Sequence, residues 1–265
     1  MRTLPDQTMV IGLPAWQDNY LWLLIRAGKA VAVDPGDADR VSAELDRRGL
    51  SLEAILLTHH HPDHIGGVAA LVDRYRCPVF GADDERIPAT HRVREGDQLR
   101  IRGMLSPFEV WEVPGHTRTH LAYRLGDWVF AGDTIFAGGC GRVFEGEPAA
   151  LYRSLMRIAA LPPETVLFPA HEYTLDNLRF ALALEPDSEL VNTRYRATRG
   201  MRAERLATVP VTVAQERASN PFLRVADPGL QAAASACLQQ TLNDPESVFV
   251  AIRGWKNRYV VRHDA

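Results

Sequence analysis

The sequence predicts an α/β domain of interleaved strands and helices, followed by a smaller all-α domain. Three observations carry that prediction. Short apolar runs alternate with amphipathic stretches as far as residue 173, the pattern of strands and helices taken in turn. Four of the apolar runs stop abruptly at a His or an Asp. Beyond residue 174 strand-like runs nearly vanish, and helical periodicity dominates between Pro186, Pro210, Pro221, Pro228 and Pro245. The two domains are assigned to residues 1–173 and 174–265. No internal repeat or low-complexity segment interrupts them.

In chain order, residues 9–13, 20–26 and 29–34 read as strands of a meander, with Gly28 at the turn between the second and third. Residues 37–49 read as an amphipathic helix, with Val41 and Leu45 on one face and Gly49 as its stop. A buried strand over 53–58 leads to a loop, a helix to about Arg76 and a short strand at 79–80. Strands at 98–102 and 108–113 precede a hairpin of 120–125 and 128–131, turned at Gly126 and Asp127. A Gly-rich loop at 137–142 opens onto a helix over 149–160 and a strand over 165–169. The second domain reads as helices over 175–184, 188–202, 228–242 and 245–259.

The loop after residue 58 is the most informative stretch. It reads His-His-His-Pro-Asp-His over residues 59–64. Extended residues alternate faces, so His59 and His61 point one way and His60 the other. Pro62 turns the chain and brings Asp63 and His64 towards the same pocket. Three imidazoles and a carboxylate in that space suit Zn²⁺ and other first-row ions. An accidental surface run of histidines is the weaker reading, because this run is internal and follows a core-like strand. Three further strand ends carry potential ligands: His116 after Val-Pro-Gly, Asp133 after Ala-Gly, and His171 after Phe-Pro-Ala. A lone His or Asp at a strand end is commonly a cap. Four such ends favour convergence on one pocket.

Composition narrows the function classes. Hydrophobic content of 46% and charged content of 24% are those of an ordinary globular protein. A net charge of −3 gives no general reason to expect a nucleic-acid partner. Cys77, Cys140 and Cys237 are odd in number and form no Cys-x-x-Cys pair, so a disulfide framework is not expected. The first residues lack the apolar core of a leader, and no window approaches the ~20 apolar residues of a membrane span. A cytoplasmic monomer with no membrane partner is the expectation.

The motifs His-x-His-x-Asp-His, Pro-Gly-His-Thr (114–117), Ala-Gly-Asp-Thr (131–134) and Ala-His-Glu-Tyr (170–173) together resemble the metallo-β-lactamase superfamily, whose fold is an αββα sandwich. That resemblance implies a binuclear centre. One ion would take His59, His61 and His116, the other Asp63, His64 and His171, and Asp133 would bridge them. The ions would be Zn²⁺, with Fe or Mn also compatible. They would share an activated hydroxide held by Asp63 and Asp133. Asp34, at a neighbouring strand end, is either the outer acceptor that fixes an imidazole tautomer or a turn residue.

A narrower resemblance rests on Asn19-Tyr20, the Gly-Gly-Cys-Gly-Arg-x-Phe-Glu-Gly stretch (138–146), His171-Glu-Tyr-Thr174, Asn220-Pro-Phe-Leu-Arg224 and Arg253-Gly-Trp-Lys256. These match glyoxalase II, the hydroxyacylglutathione hydrolases. The match implies hydrolysis of S-D-lactoylglutathione to D-lactate and glutathione, a step of methylglyoxal detoxification, with the helical domain holding the glutathione part. By position, Arg142 and Tyr173 would contact the cysteinyl and glycyl portion, and Arg253 and Lys256 the glycine carboxylate. By the usual exposure of helix cations alone, Arg253 and Lys256 would be a solvated helix end. Phe144 and Thr119 depart from the family, which usually has Tyr and Gly there.

The alternatives are an iron-dependent glutathione persulfide dioxygenase of the same superfamily and, outside enzymes, a metal-binding scaffold. A β-lactamase would usually carry Cys where Asp133 stands, and an RNA nuclease would want a basic surface. Other residues take ordinary readings: His60 and His120 packed or hydrogen-bonded, His91 and His263 exposed, Trp111 and Trp255 packing. Arginines 194–205 are spaced like a solvated helix face, and Cys140 follows a tight backbone course.

Overall fold

The computed structural model describes residues 2–4 and 6–259, so His263 lies outside the described residues. Two compact units emerge from the packing: residues 1–113 with 119–132, and residues 114–118 with 133–265. This division differs from the one at 173/174 read from the sequence. The change in sequence texture at 174 marks where strands give way to helices. The packing groups differently, because helix Pro148–Ala159 makes its neighbours among helices Val213–Ser219 and Pro245–Arg258.

The first unit holds a seven-stranded sheet in the order Arg2–Thr3, Met9–Ala15, Asn19–Arg26, Lys29–Val33, Ser51–Leu56, Val79–Gly81, His91–Arg92. The first three pairings are antiparallel and the last three parallel. Parallel pairing needs a crossover. Helix Ala38–Arg48 supplies one, and the Pro62–Ile65 turn with helix Val68–Tyr75 supplies the next. Asp37 caps the first helix by accepting from Arg40 N–H, and Gly49 ends it at φ +63°. Val41 and Leu45 are buried, as the periodicity predicts. The four strands Gln98–Leu99, Phe108–Glu112, Leu121–Leu125 and Trp128–Gly132 form an antiparallel meander. The expected strand over 98–102 stops at Leu99, because residues 101–104 close a turn through Met104 N–H to Ile101 C=O.

Tyr123, wholly buried, ties this meander to the end of the ligand-bearing strand: its hydroxyl donates to Leu57 C=O at 2.8 Å. Leu121 N–H donates to Thr58 C=O at 2.8 Å beside it.

The second unit pairs Ile135–Phe136 with Gly139–Cys140, and Val166–Pro169 with Val211–Thr212, both antiparallel. Its helices are Pro148–Ala159, Thr174–Leu184, Glu189–Ala203, Val213–Ser219, Pro228–Leu238 and Pro245–Arg258. Phe180, Phe222 and Phe249 are fully buried and in ring contact, with Trp255 packed edge-on against Phe180. The helix expected over 228–242 ends at Leu238, where Gln239 turns left-handed at φ +52°. No helix among the described residues is long and apolar enough to cross a membrane.

Tyr123→Phe leaves the Leu57 carbonyl short of a donor and is expected to cost about 1–2 kcal/mol. A lower thermal midpoint with unchanged far-ultraviolet dichroism checks this.

Candidate metal centre and substrate contacts

In the first unit the chain leaves strand Ser51–Leu56 through Thr58, and the His-rich loop begins. His59 and His64 are buried; His61 and Asp63 are half-buried or more exposed than they. The ligand atoms of His59 and His61 lie within 4.8 Å of one another, and so do those of Asp63 and His64. His59 Nε2 is 2.9 Å from His61 Nδ1, and His64 Nε2 is 3.4 Å from Asp63 Oδ2.

Asp34 orders this ligand loop. It sits at the end of strand Lys29–Val33 with φ +49°, a conformation that Asp tolerates better than most residues. Its Oδ1 accepts from Thr58 N–H at 2.8 Å, and its Oδ2 accepts from the Thr58 hydroxyl at 2.7 Å. His64 Nδ1 lies 3.0 Å from the same Oδ2, and its Nε2 faces Asp63, so this buried ring stands between two carboxylates. Thr58 Oγ1 has given its hydrogen to Asp34 and therefore accepts from His59 Nδ1, 3.0 Å away. The His59 ring thus presents an unprotonated Nε2. Gly132 lies beside this relay, and a Cβ there would sit 2.4 Å from Thr58 Oγ1. Asn19 Nδ2 donates to Asp63 Oδ2 at 2.9 Å.

The second unit repeats the logic. His116 Nδ1 lies 2.8 Å from the Arg142 carbonyl, an acceptor only, so its Nε2 is also unprotonated. That Nε2 faces Asp133 Oδ2 at 3.3 Å, while His171 Nε2 faces Asp133 Oδ1 at 3.4 Å. Each carboxylate oxygen of Asp133 thus has its own imidazole.

A lone pair aimed at another acceptor is repulsive unless a cation stands between them. That holds for His116 against Asp133. Two donors on a tetrahedral zinc with bonds of ~2.0–2.1 Å lie about 3.3 Å apart, and the His–Asp pairs here are spaced at 3.3–3.4 Å. The residues present fit divalent ions.

The other residues singled out in the sequence take varied places. His60 turns to Arg86, whose Nη1 is 3.1 Å away. His120 is buried and stacked on His59. His91 is exposed. The Thr119 hydroxyl donates to Asp84 Oδ2 at 2.6 Å, and hydrogen bonds from Arg86 hold that carboxyl well below the usual carboxylate range. Arg142 has its guanidinium over the exposed ring of Phe144. Tyr173 stacks parallel on His171 at 4.7 Å. Arg253 is no solvated helix end: it is 6% exposed and donates to the Cys140 and Gly141 carbonyls. Lys256 lies over Phe180, and burial with the nearby Arg253 charge lowers its pKa to about 8. Arg194 also leaves the expected solvated face, pairing inward with Glu216, whereas Arg196, Arg199 and Arg205 are exposed.

Asn177, Glu216 and the helix Val213–Ser219 were not anticipated from the sequence. Thr212-x-x-Gln215 forms a capping box, a readable signal of that helix start.

Residues 16–171 match the family model of the metallo-beta-lactamase superfamily, and the chain belongs to that superfamily, with its αββα sandwich followed by a helical segment. Residues 172–259 match the model described as hydroxyacylglutathione hydrolase C-terminus. A hydroxyacylglutathione hydrolase of Chromohalobacter salexigens is 48% identical over 256 residues, 94% of this chain and 99% of the relative. The chain is therefore a member of the hydroxyacylglutathione hydrolase family. Among solved structures, ETHE1 from Myxococcus xanthus is similar at TM-score 0.65 and 26% identity, covering 96% of this chain and 92% of the other. TTHA1623 in a di-iron-bound form is similar at TM-score 0.58 and 28% identity, covering 81% and 100%.

Asp34→Asn keeps the shape but removes the acceptor of the Thr58 hydroxyl that holds His59 Nδ1, and the carboxylate charge beside His64. Zinc affinity, measured by chelator competition, is expected to fall about 10–100-fold.

Proposed function

We propose that this chain hydrolyses S-D-lactoylglutathione to D-lactate and glutathione, using two divalent ions held at the His/Asp ligands. The observation that carries this reading is Asp133, with a separate imidazole facing each of its oxygens. One ion would be held by His59, His61 and His116 and the other by Asp63, His64 and His171, with Asp133 available to both sets. The pairing within each unit supports that division: His59 lies beside His61, Asp63 beside His64, and His116 and His171 face different oxygens of Asp133. Zn²⁺ suits the N/O set, and Fe or Mn is compatible with it. When bound, the ions supply an activated water as nucleophile and polarise the thioester carbonyl.

The chain's own residues do the rest. Asp34, through Thr58, holds the His59 tautomer, and the Arg142 carbonyl holds that of His116. The thiolate of glutathione leaves without a dedicated acid, since a thiol pKa near ~8.5 makes it a tolerable leaving group. Glutathione carries two carboxylates. Arg142, Tyr173, Arg253 and Lys256 form the contacts we assign to it, Arg142 and Lys256 as the accessible cations. Residues 1–173 carry the metal centre and 174–265 the glutathione platform. The unpaired Cys77, Cys140 and Cys237 support a reducing, cytoplasmic setting.

Metal-loaded protein is expected to release free thiol from S-D-lactoylglutathione, and chelation to abolish release. Oxygen uptake with glutathione persulfide in place of thiol release would overturn the assignment. Asp63→Ala is expected to abolish turnover, read in the same thiol-release assay. Lys256 loses its charge as pH rises through about 8. kcat/KM, which reports the free enzyme, is therefore expected to fall above that pH, and Lys256→Arg to remove the falling limb.

A further inference from the structure

Glu216 and the segment from Asn220 to Arg224 have no part in the chemistry above, yet Glu216 is a completely buried carboxylate. Its Oε2 accepts from Gly138 N–H at 2.8 Å and from Asn220 Nδ2 at 2.8 Å, and its Oε1 accepts from Arg194 Nη2 at 2.5 Å. Asn220 also donates to Gly139 C=O at 2.9 Å. Asn177 Nδ2 donates to Ala137 C=O at 3.2 Å, and Arg253 Nη1 to Cys140 C=O at 2.9 Å. Each residue from Ala137 to Cys140 thus has a backbone group held by a buried side chain from the helical part of this unit.

The loop needs such anchors. Gly138, Gly139 and Gly141 bring no side chains to pack, and buried backbone groups must find partners. At its far end the loop meets the metal ligands. The Arg142 carbonyl receives His116 Nδ1–H, and a Cβ on Gly141 would fall 2.0 Å from the Asp133 carbonyl oxygen. A shift of the loop therefore moves the acceptor that sets the His116 tautomer.

We propose that Glu216 is a positioning residue for the metal centre: through Gly138 and Asn220 it fixes the 137–142 loop, and the loop keeps the His116 proton on Nδ1. The bonds are charge-assisted and so stiffer than a neutral amide would make them. The proposal rests on the reading of His116 as a metal ligand.

Glu216→Gln, in the full chain, preserves shape and cooperative melting. Zinc competition is expected to show one ion bound about 10–100-fold more weakly. Imidazole ¹H–¹⁵N spectra of the metal-free protein are expected to show His116 no longer confined to the Nδ1–H tautomer. Arg194→Gln keeps both loop contacts and is expected to lower the melting temperature while leaving affinity and tautomer unchanged. Should Glu216→Gln fail to fold, Asn177→Ser releases the same loop at Ala137 and is expected to give the same weakened binding. Wild-type affinity and tautomer in the folded variants would overturn the proposal and leave Glu216 a packing residue. His116→Ala separates the two failures: if it still binds two ions as tightly as wild type, the ligand reading itself is wrong.

Discussion

The structure depends on one electrostatic constraint: acceptors are made to face acceptors. Thr58, itself held by Asp34, and the Arg142 carbonyl each claim the outer proton of an imidazole. The inner nitrogen of His116 is then left aimed at a carboxylate oxygen, and buried His64 stands between two carboxylates. Burying such an arrangement is costly in a low dielectric unless positive charge enters it. The fold thus stores an affinity for cations rather than merely tolerating them.

Strand ends are where this can be done accurately. Lys29–Val33 ends at Asp34, Ser51–Leu56 runs out to Thr58, and Trp128–Gly132 ends at Asp133. The ladders behind them fix the backbone, and Tyr123 pins the carbonyl of Leu57 from the neighbouring meander. In the second unit a loop with three glycines does the same work with few side chains to pack, so helices must hold it. Glu216, Asn220, Asn177 and Arg253 answer that need.

Much of this was legible in the sequence, and for physical reasons. Val41, Leu45 and Gly49 defined the first helix through burial period and left-handed stop. The candidate ligands announced themselves as His and Asp at the ends of apolar runs, and Asp34 was visible as an acid in the same position. What stayed hidden depends on tertiary contact. Nothing local marks Arg194 or Arg253 as inward-facing, since an Arg on a helix is usually solvated and only its partner reveals otherwise. Glu216 sits among polar neighbours and reads as surface. The strand Val211–Thr212 is two residues long, too short for any period to register. The division of packing at 132/133 is likewise a property of contacts that no change in composition signals.

The proposed centre turns on Asp133 being shared by two cations. Anomalous diffraction from zinc-loaded crystals tests this most directly. Two metal peaks are expected, one against each carboxylate oxygen of Asp133, with His116 and His171 on different ions. A single peak, or two peaks that leave Asp133 uncoordinated, would contradict it.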